Sequence, residues 1–258
     1  MDNFIALEPL DLVWCLGLIG MAIALSSWRK LKLEKQLAYS AARCLMQLIA
    51  IGYILDIVFA INNWLVVLGV LGVMIGVASL VTRNRIDPKL PGLLTTVTLS
   101  LVASSAFTLG YVILVIVQPD RWYEPQYLIP MSGMLFGNAV NASSLAGERL
   151  LNSINQNRLE IETHLSLGAT AKQAIAGFQR DAIRTGLIPT LNNLVVMGLV
   201  SLPGMFTGQV LGGNNPRDAA SYQILILFAI VLVNLLTTFL ITEGIFGKFF
   251  NQQEQLIR

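Results

Sequence analysis

Apolar residues gather along the chain in seven long stretches, at about 9–28, 37–59, 62–82, 91–118, 126–148, 186–206 and 219–246. Each reaches the roughly 20 residues that about 30 Å of hydrocarbon requires. Lipid offers backbone amides no water to bond, so stretches of this length are predicted as helices and not strands. The fourth is long enough to tilt or to be interrupted near Gly110. The fifth and sixth are the least hydrophobic, being rich in Gly, Ser and Asn, and polar side chains within a span face a bundle interior or a pathway. The pattern predicts an all-α membrane protein of about seven transmembrane helices, forming a single transmembrane domain over 1–258.

Composition strengthens that reading. Hydrophobic residues make up 55% of the chain and charged ones only 12%, where soluble proteins run near a quarter charged. Lipid must therefore be the solvent for much of the surface. The net charge of +2 gives no reason to expect a nucleic-acid partner. Cys15 and Cys44 both lie in apolar stretches and are expected as small packing residues, not as a disulfide. Asp2 and Glu8 precede the first apolar run, and no Lys or Arg occurs before Arg29. A cleavable signal peptide is not expected from that pattern, and the first span is expected to be retained in a multi-pass cell (inner or plasma) membrane protein.

Charge placement orients the helices. With the N-terminus outside, the segments 29–36, 83–90 and 149–185 and the tail after 247 are cytoplasmic, and they hold fourteen of the seventeen Lys and Arg. Only Arg121 and Arg217 fall outside, while Arg43 lies within the second span. The positive-inside rule thus predicts N-terminus out and C-terminus cytoplasmic.

The long connection 149–185 has no proline and reads as helix, with Leu165, Leu167, Ala174, Ile175, Phe178 and Ile183 at roughly helical spacing. Gly168 interrupts it, and Thr170 is placed to cap a new helix. Two short helices meeting at Leu167-Gly168-Ala169-Thr170 and lying across the cytoplasmic side are predicted. They would either rest on lipid head groups or dock into a partner. The spacing of Glu162 and Gly168, followed by Ala169-Thr170, resembles the cytoplasmic coupling loop of ABC-type importer permeases, although Phe178 and Asp181 stand where that signature continues with Ile and Leu-Pro. The resemblance implies that Glu162, Gly168, Ala169 and Thr170 couple to an ATPase. His164, the lone histidine, falls in this segment and is read as a solvated or docking-face residue.

The fifth and sixth spans carry the candidate chemistry. Gly133 and Gly137 form a Gly-x-x-x-Gly, suited to close helix packing or to a gating hinge. Met134, Asn138 and Asn141 share one helix face at i, i+4 and i+7. Such a stripe either glues helices together or lines a path with weak ligands. Asn192 and Asn193 follow Pro189, which is expected to break the sixth span and free a carbonyl. Pro203-Gly204, with Met205 and Gln209, is expected to form a re-entrant turn or outer gate. No cluster of His, Cys and carboxylates has metal-ligand spacing, so a cation would be carried by amide, carbonyl and water oxygens, with Met contributing where the ion is soft. Arg43 either snorkels to the cytoplasmic interface or forms a buried charge pair with Glu148 or Asp181.

Two longer runs resemble one family. Pro130-Met131-Ser132-Gly133-Met134-Leu135-Phe136-Gly137-Asn138 is similar to the P-x-x-G-M-x-x-G-N run of the FetB-type (YbbM-type) iron-export permeases. The stretches 184–193 and 198–213 resemble that family's second signature, and the similarity extends from about 40 to 245. The resemblance implies a permease subunit exporting metal ions, with iron foremost, related to plant aluminium-tolerance permeases. It implies a separate ABC ATP-binding subunit and a permease homodimer facing an ATPase dimer. The sequence contains no Gly-x-x-x-x-Gly-Lys-Ser/Thr, so ATP and Mg are expected in the partner and no cofactor in this chain, which is read as a transporter subunit and not an enzyme. Rival readings are a permease for a nucleotide sugar or other small solute, a seven-helix receptor, and a scaffold that only recruits a partner.

Overall fold

The computed structural model describes residues 9–251 and 253–256. Among these, nine α-helices and one π-helical turn account for the regular structure, and no strand forms. The chain divides into two compact units, one built on the first two helices and one that begins at Asn63.

In the first unit, α1 (Pro9–Trp28) and α2 (Glu34–Ile61) are joined by a tight connection. The Ser26 hydroxyl donates to the Glu34 carboxylate at 3.1 Å and accepts the Leu33 N–H at 3.3 Å, which fixes the turn. Asn62 adopts a left-handed conformation and closes α2, its N–H bonding the Val58 carbonyl.

The second unit starts with α3 (Trp64–Ile86), capped by the Asn63 side chain, which accepts the Leu65 N–H at 2.8 Å. Arg83 and Arg85 fall in its last turn, where the helix dipole favours cations. Next, α4 (Leu93–Tyr111) passes directly into a π-helical turn at Val112–Val117, so the fourth apolar stretch changes its winding just after Gly110, as its length predicts. The helices α5 (Pro125–Gln156) and α9 (Pro216–Phe249) run to 32 and 34 residues. At 1.5 Å per residue these are about 48 and 51 Å long, well beyond a bilayer core. Between them lie α6 (Arg158–Ser166), α7 (Ala171–Val196) and the short α8 (Gly204–Leu211).

Among the described residues, four segments are by length and composition fit to cross a membrane: α2, α3, α4 with its π turn, and α9. A shorter apolar stretch, Trp14–Trp28, lies in α1. The core of the second unit is α5, packed against α3, α7 and α9, with α4 seated on α9. Close approach is built into α7 at Gly186, where a Cβ would lie 2.6 Å from the Ala142 carbonyl oxygen. Small hydroxyls join the helices as well. Ser104 and Thr237 lie 2.6 Å apart, both buried, in a contact worth roughly 0.6 kcal/mol in a membrane.

Three expectations are corrected. The connection 149–185 is not two short helices: α5 continues unbroken to Gln156, and α7 begins at Ala171 and runs on into the sixth apolar stretch. Only α6 and the elbow 167–170 stand apart, because nothing between Ala171 and Gly186 stops a helix that Thr170 has started. The sixth stretch does not hold one helix over 186–206. Its helix ends at Val196, and a turn in which Gly198 N–H bonds the Ser201 carbonyl leads to α8. Pro189 does not break α7, which passes through it. The proline removes one backbone donor, but the turns on either side keep their own bonds, and the break comes at Met197–Pro203 instead.

Candidate functional site

Two adjoining cavities lie among α5, α7, α8 and α9. The inner one, about 190 Å³, is lined by Met134, Asn138, Thr190, Asn193, Met197, Pro203, Gly204, Met205 and Gln223, with apolar residues of α7 and α9. The other, about 500 Å³, is lined by Gln126, Tyr127, Pro130, Met131, Met134, Met205, Gln209, Asn214 and Tyr222. Met134 and Met205 belong to both linings and mark where they meet. Tyr127 and Tyr222 stack at the second cavity, ring centroids 6.4 Å apart.

The folding that brings these residues together is local at each step. Met134 and Asn138 lie one turn apart on α5, and the Asn138 Nδ2 donates to the Met134 carbonyl at 2.8 Å. That bond leaves the Asn138 amide oxygen and one of its two N–H donors unused. Thr190 and Asn193 are likewise nearly one turn apart on α7. The turn after Val196 returns the chain so that Pro203, Gly204 and Met205 line the same space. Thr190 accepts a hydrogen bond from the Asn234 Nδ2 at 2.8 Å. The amide oxygens of Asn234 and Gln223 are buried and have no hydrogen-bond partner among the described residues. Among the described residues, no charged side chain lines either cavity. Among the described residues, no group of three or more His, Cys, Asp or Glu could hold a metal.

Of the residues picked out in the sequence, Met134, Asn138, Asn193, Met205 and Gln209 converge here, with Pro203 and Gly204 at the rim. Asn141 and Asn192 do not. Asn141 shares the helix face of Met134 but lies about 10 Å farther along the axis, where its side chain accepts a 2.8 Å bond from Arg85 Nη1. Asn192 is one residue, about 100° of helix turn, from Asn193 and is exposed. Gly133 faces Met74 closely, whereas nothing lies within 4 Å of a Cβ built on Gly137, so only half of the Gly-x-x-x-Gly packs. Sequence reasoning missed Thr190, Met197, Tyr222 and Gln223. The signal for Gln223 was present, since it and Asn234 are amides within the apolar helix α9.

At the other end of α7, Gly168 holds φ +90 and turns the chain from α6 into α7. Thr170 caps α7 through a full capping box with Gln173, as its position predicts. Glu162, Gly168 and Ala169 line a broad cleft of about 770 Å³ whose other wall is the C-terminal segment 253–256. Glu254, which sequence reasoning did not single out, accepts the Ala171 N–H at 3.1 Å and so satisfies a first-turn donor of α7.

The side chains of Arg43 and Glu148 are both exposed. Arg43 sits nine residues, about 14 Å, beyond the first residue of α2. Asp181 is taken by Arg149, which donates to it at 2.7 and 3.0 Å across α5 and α7.

Residues 9–250 match the family described as Uncharacterised protein family (UPF0014). The chain is 52% identical over 253 residues to a UPF0014 membrane protein of Synechocystis sp., covering 98% of each. It is 34% identical to the "Probable iron export permease protein FetB" of Escherichia coli K12, over 96% of this chain and 94% of that one. It is 31% identical to "Protein ALUMINUM SENSITIVE 3" of Arabidopsis thaliana, over 93% and 87%. No solved structure matches it.

Proposed function

Because this chain belongs to the UPF0014 family of multi-pass membrane proteins, we propose that it is the transmembrane permease subunit of an ABC-type exporter of metal ions, with iron the first cargo to test. A separate ATP-binding subunit supplies ATP, Mg and hydrolysis, and two permease copies face an ATPase dimer. The chain crosses the inner membrane about seven times, N-terminus outside and C-terminus in the cytoplasm, as its basic residues favour.

One observation carries this reading: α7 is a single helix with the capped elbow at one end and the cavity at the other. Thr170 and Asn193 are 23 residues apart, about 35 Å along one axis. Glu162, Gly168, Ala169 and Thr170 are the surface on which a moving ATPase pushes. The same displacement arrives at Asn193 and shifts it against Met134 and Asn138 of α5. Weak amide and thioether ligands suit this task, because a pump must release what it holds. An uncharged lining argues against a nucleotide sugar, whose phosphates would meet no cation there.

The test is co-purification with a candidate ATP-binding subunit, followed by ATPase assays with Fe²⁺, Mn²⁺, Zn²⁺, Al³⁺ and a nucleotide sugar. A stable complex stimulated by a metal ion supports the reading. Stimulation by the nucleotide sugar alone removes the cargo, and failure to bind any ATPase removes the transporter.

A further inference from the structure

We infer that the cavity prefers a soft, singly charged cation of the Cu(I) and Ag(I) class over Fe(II). The inference rests on the reading of this cavity as the cargo site and deepens it to a class of ion. Four of the eight methionines in the chain, Met131, Met134, Met197 and Met205, line the two joined cavities, although they come from α5, the turn after α7, and α8. Met134 and Met205 bridge the two spaces. Thioether sulfur is a soft donor and selects Cu(I)-type ions, whereas hard and borderline cations take carboxylate, imidazole or water.

Charge points the same way. The cost of desolvating an ion rises with the square of its charge, and a buried charge must be matched by its surroundings. Among the described residues no carboxylate lines either cavity, so a doubly charged ion would find no counter-charge there, while a singly charged one needs only dipoles. Those dipoles are present. Gln223 is 8% exposed and lines the inner cavity, and its buried amide oxygen has no hydrogen-bond partner among the described residues. Asn138 offers its own amide oxygen from the opposite helix, its Nδ2 being held by the Met134 carbonyl. Two or three sulfurs with an amide oxygen form a neutral, soft and readily exchanged ligand set. Methionine as mere gap filler would not require an unpartnered amide beside it.

The probe is Ag(I), which is redox-inert, titrated calorimetrically into the full chain in detergent. Cys15 and Cys44, both exposed, are first replaced by Ser so that thiols do not compete. One Ag(I) per chain is expected, with affinity falling at least tenfold in Met134→Leu/Met205→Leu. Leucine conserves volume, so the variant should keep the parent's elution profile and melting temperature. Met46→Leu, exposed on α2, should leave binding unchanged. Fe(II) at equal concentration should not displace the silver. Ag(I) binding that is unchanged in the double variant overturns the inference. Displacement by Fe(II) overturns the soft preference alone and leaves the metal-export reading standing. Absence of cavity-dependent binding of either ion overturns both.

Discussion

The two halves of α5 live in different surroundings. Toward its N-terminus, Met131, Met134 and Asn138 border open space shared with α8 and α9. Toward its C-terminus, Ala142 and Ala146 meet Gly186 of α7 at backbone distance, and Arg149 pairs with Asp181 a turn beyond. One helix therefore carries a cavity at one end and a dense joint at the other. The sequence of the helix explains the division. Both methionines of the helix, Met131 and Met134, lie in the first half, and the run Ala142-Ser143-Ser144-Leu145-Ala146-Gly147 in the second supplies small residues that allow helices to approach closely. A dense joint on α7 between the elbow and the cavity is the arrangement expected of a lever.

The largest effect should come from filling the joint. Gly186→Val should destabilise the protein by about 3 kcal/mol or more, since the new side chain meets the Ala142 carbonyl and Ala146 with no room to move. Thermal melting in detergent would show it, and an unchanged melting temperature would mean that the joint is loose. Gly168→Ala should cost about 1–2 kcal/mol, because its φ of +90 strains any residue with a Cβ. Its sharper effect should be on ATPase stimulation, which measures the elbow directly. Exchanging Arg149 and Asp181 should restore what either single reversal removes, although this exposed pair is worth only about 0.2–1 kcal/mol. Smallest of all, Ser104→Ala should lower stability by roughly 0.6 kcal/mol by deleting the bond to Thr237, with no effect on ion binding.

How much of this was legible in the sequence follows the range of each interaction. Thr170 and Gly168 were readable because a cap and a left-handed turn are set within four residues. Met134 and Asn138 were readable because helix periodicity places them on one face. The length of α7 was misjudged because hydropathy alone placed a boundary near 186, whereas the capped helix crosses that boundary without a break. Asn141 was assigned to the cavity because periodicity fixes a face and not a height, and Arg85 from another helix takes it at its own level. Tyr222 and Glu254 meet Tyr127 and Ala171, each more than 80 residues away in the chain, a distance over which no local pattern speaks.

The central claim is that ions pass through the amide and thioether cavity and that α7 drives them. Its most direct test is ATP-dependent uptake of Fe(II) and Ag(I) into inside-out proteoliposomes that hold the permease with its ATP-binding subunit. The comparison is between the parent chain and Asn138→Ala/Asn193→Ala, which removes the cavity amides of α5 and of the far end of α7 from the elbow. The account predicts that the double variant assembles and melts like the parent yet transports at least tenfold less. Transport at the parental rate would contradict it and place the path elsewhere in the membrane.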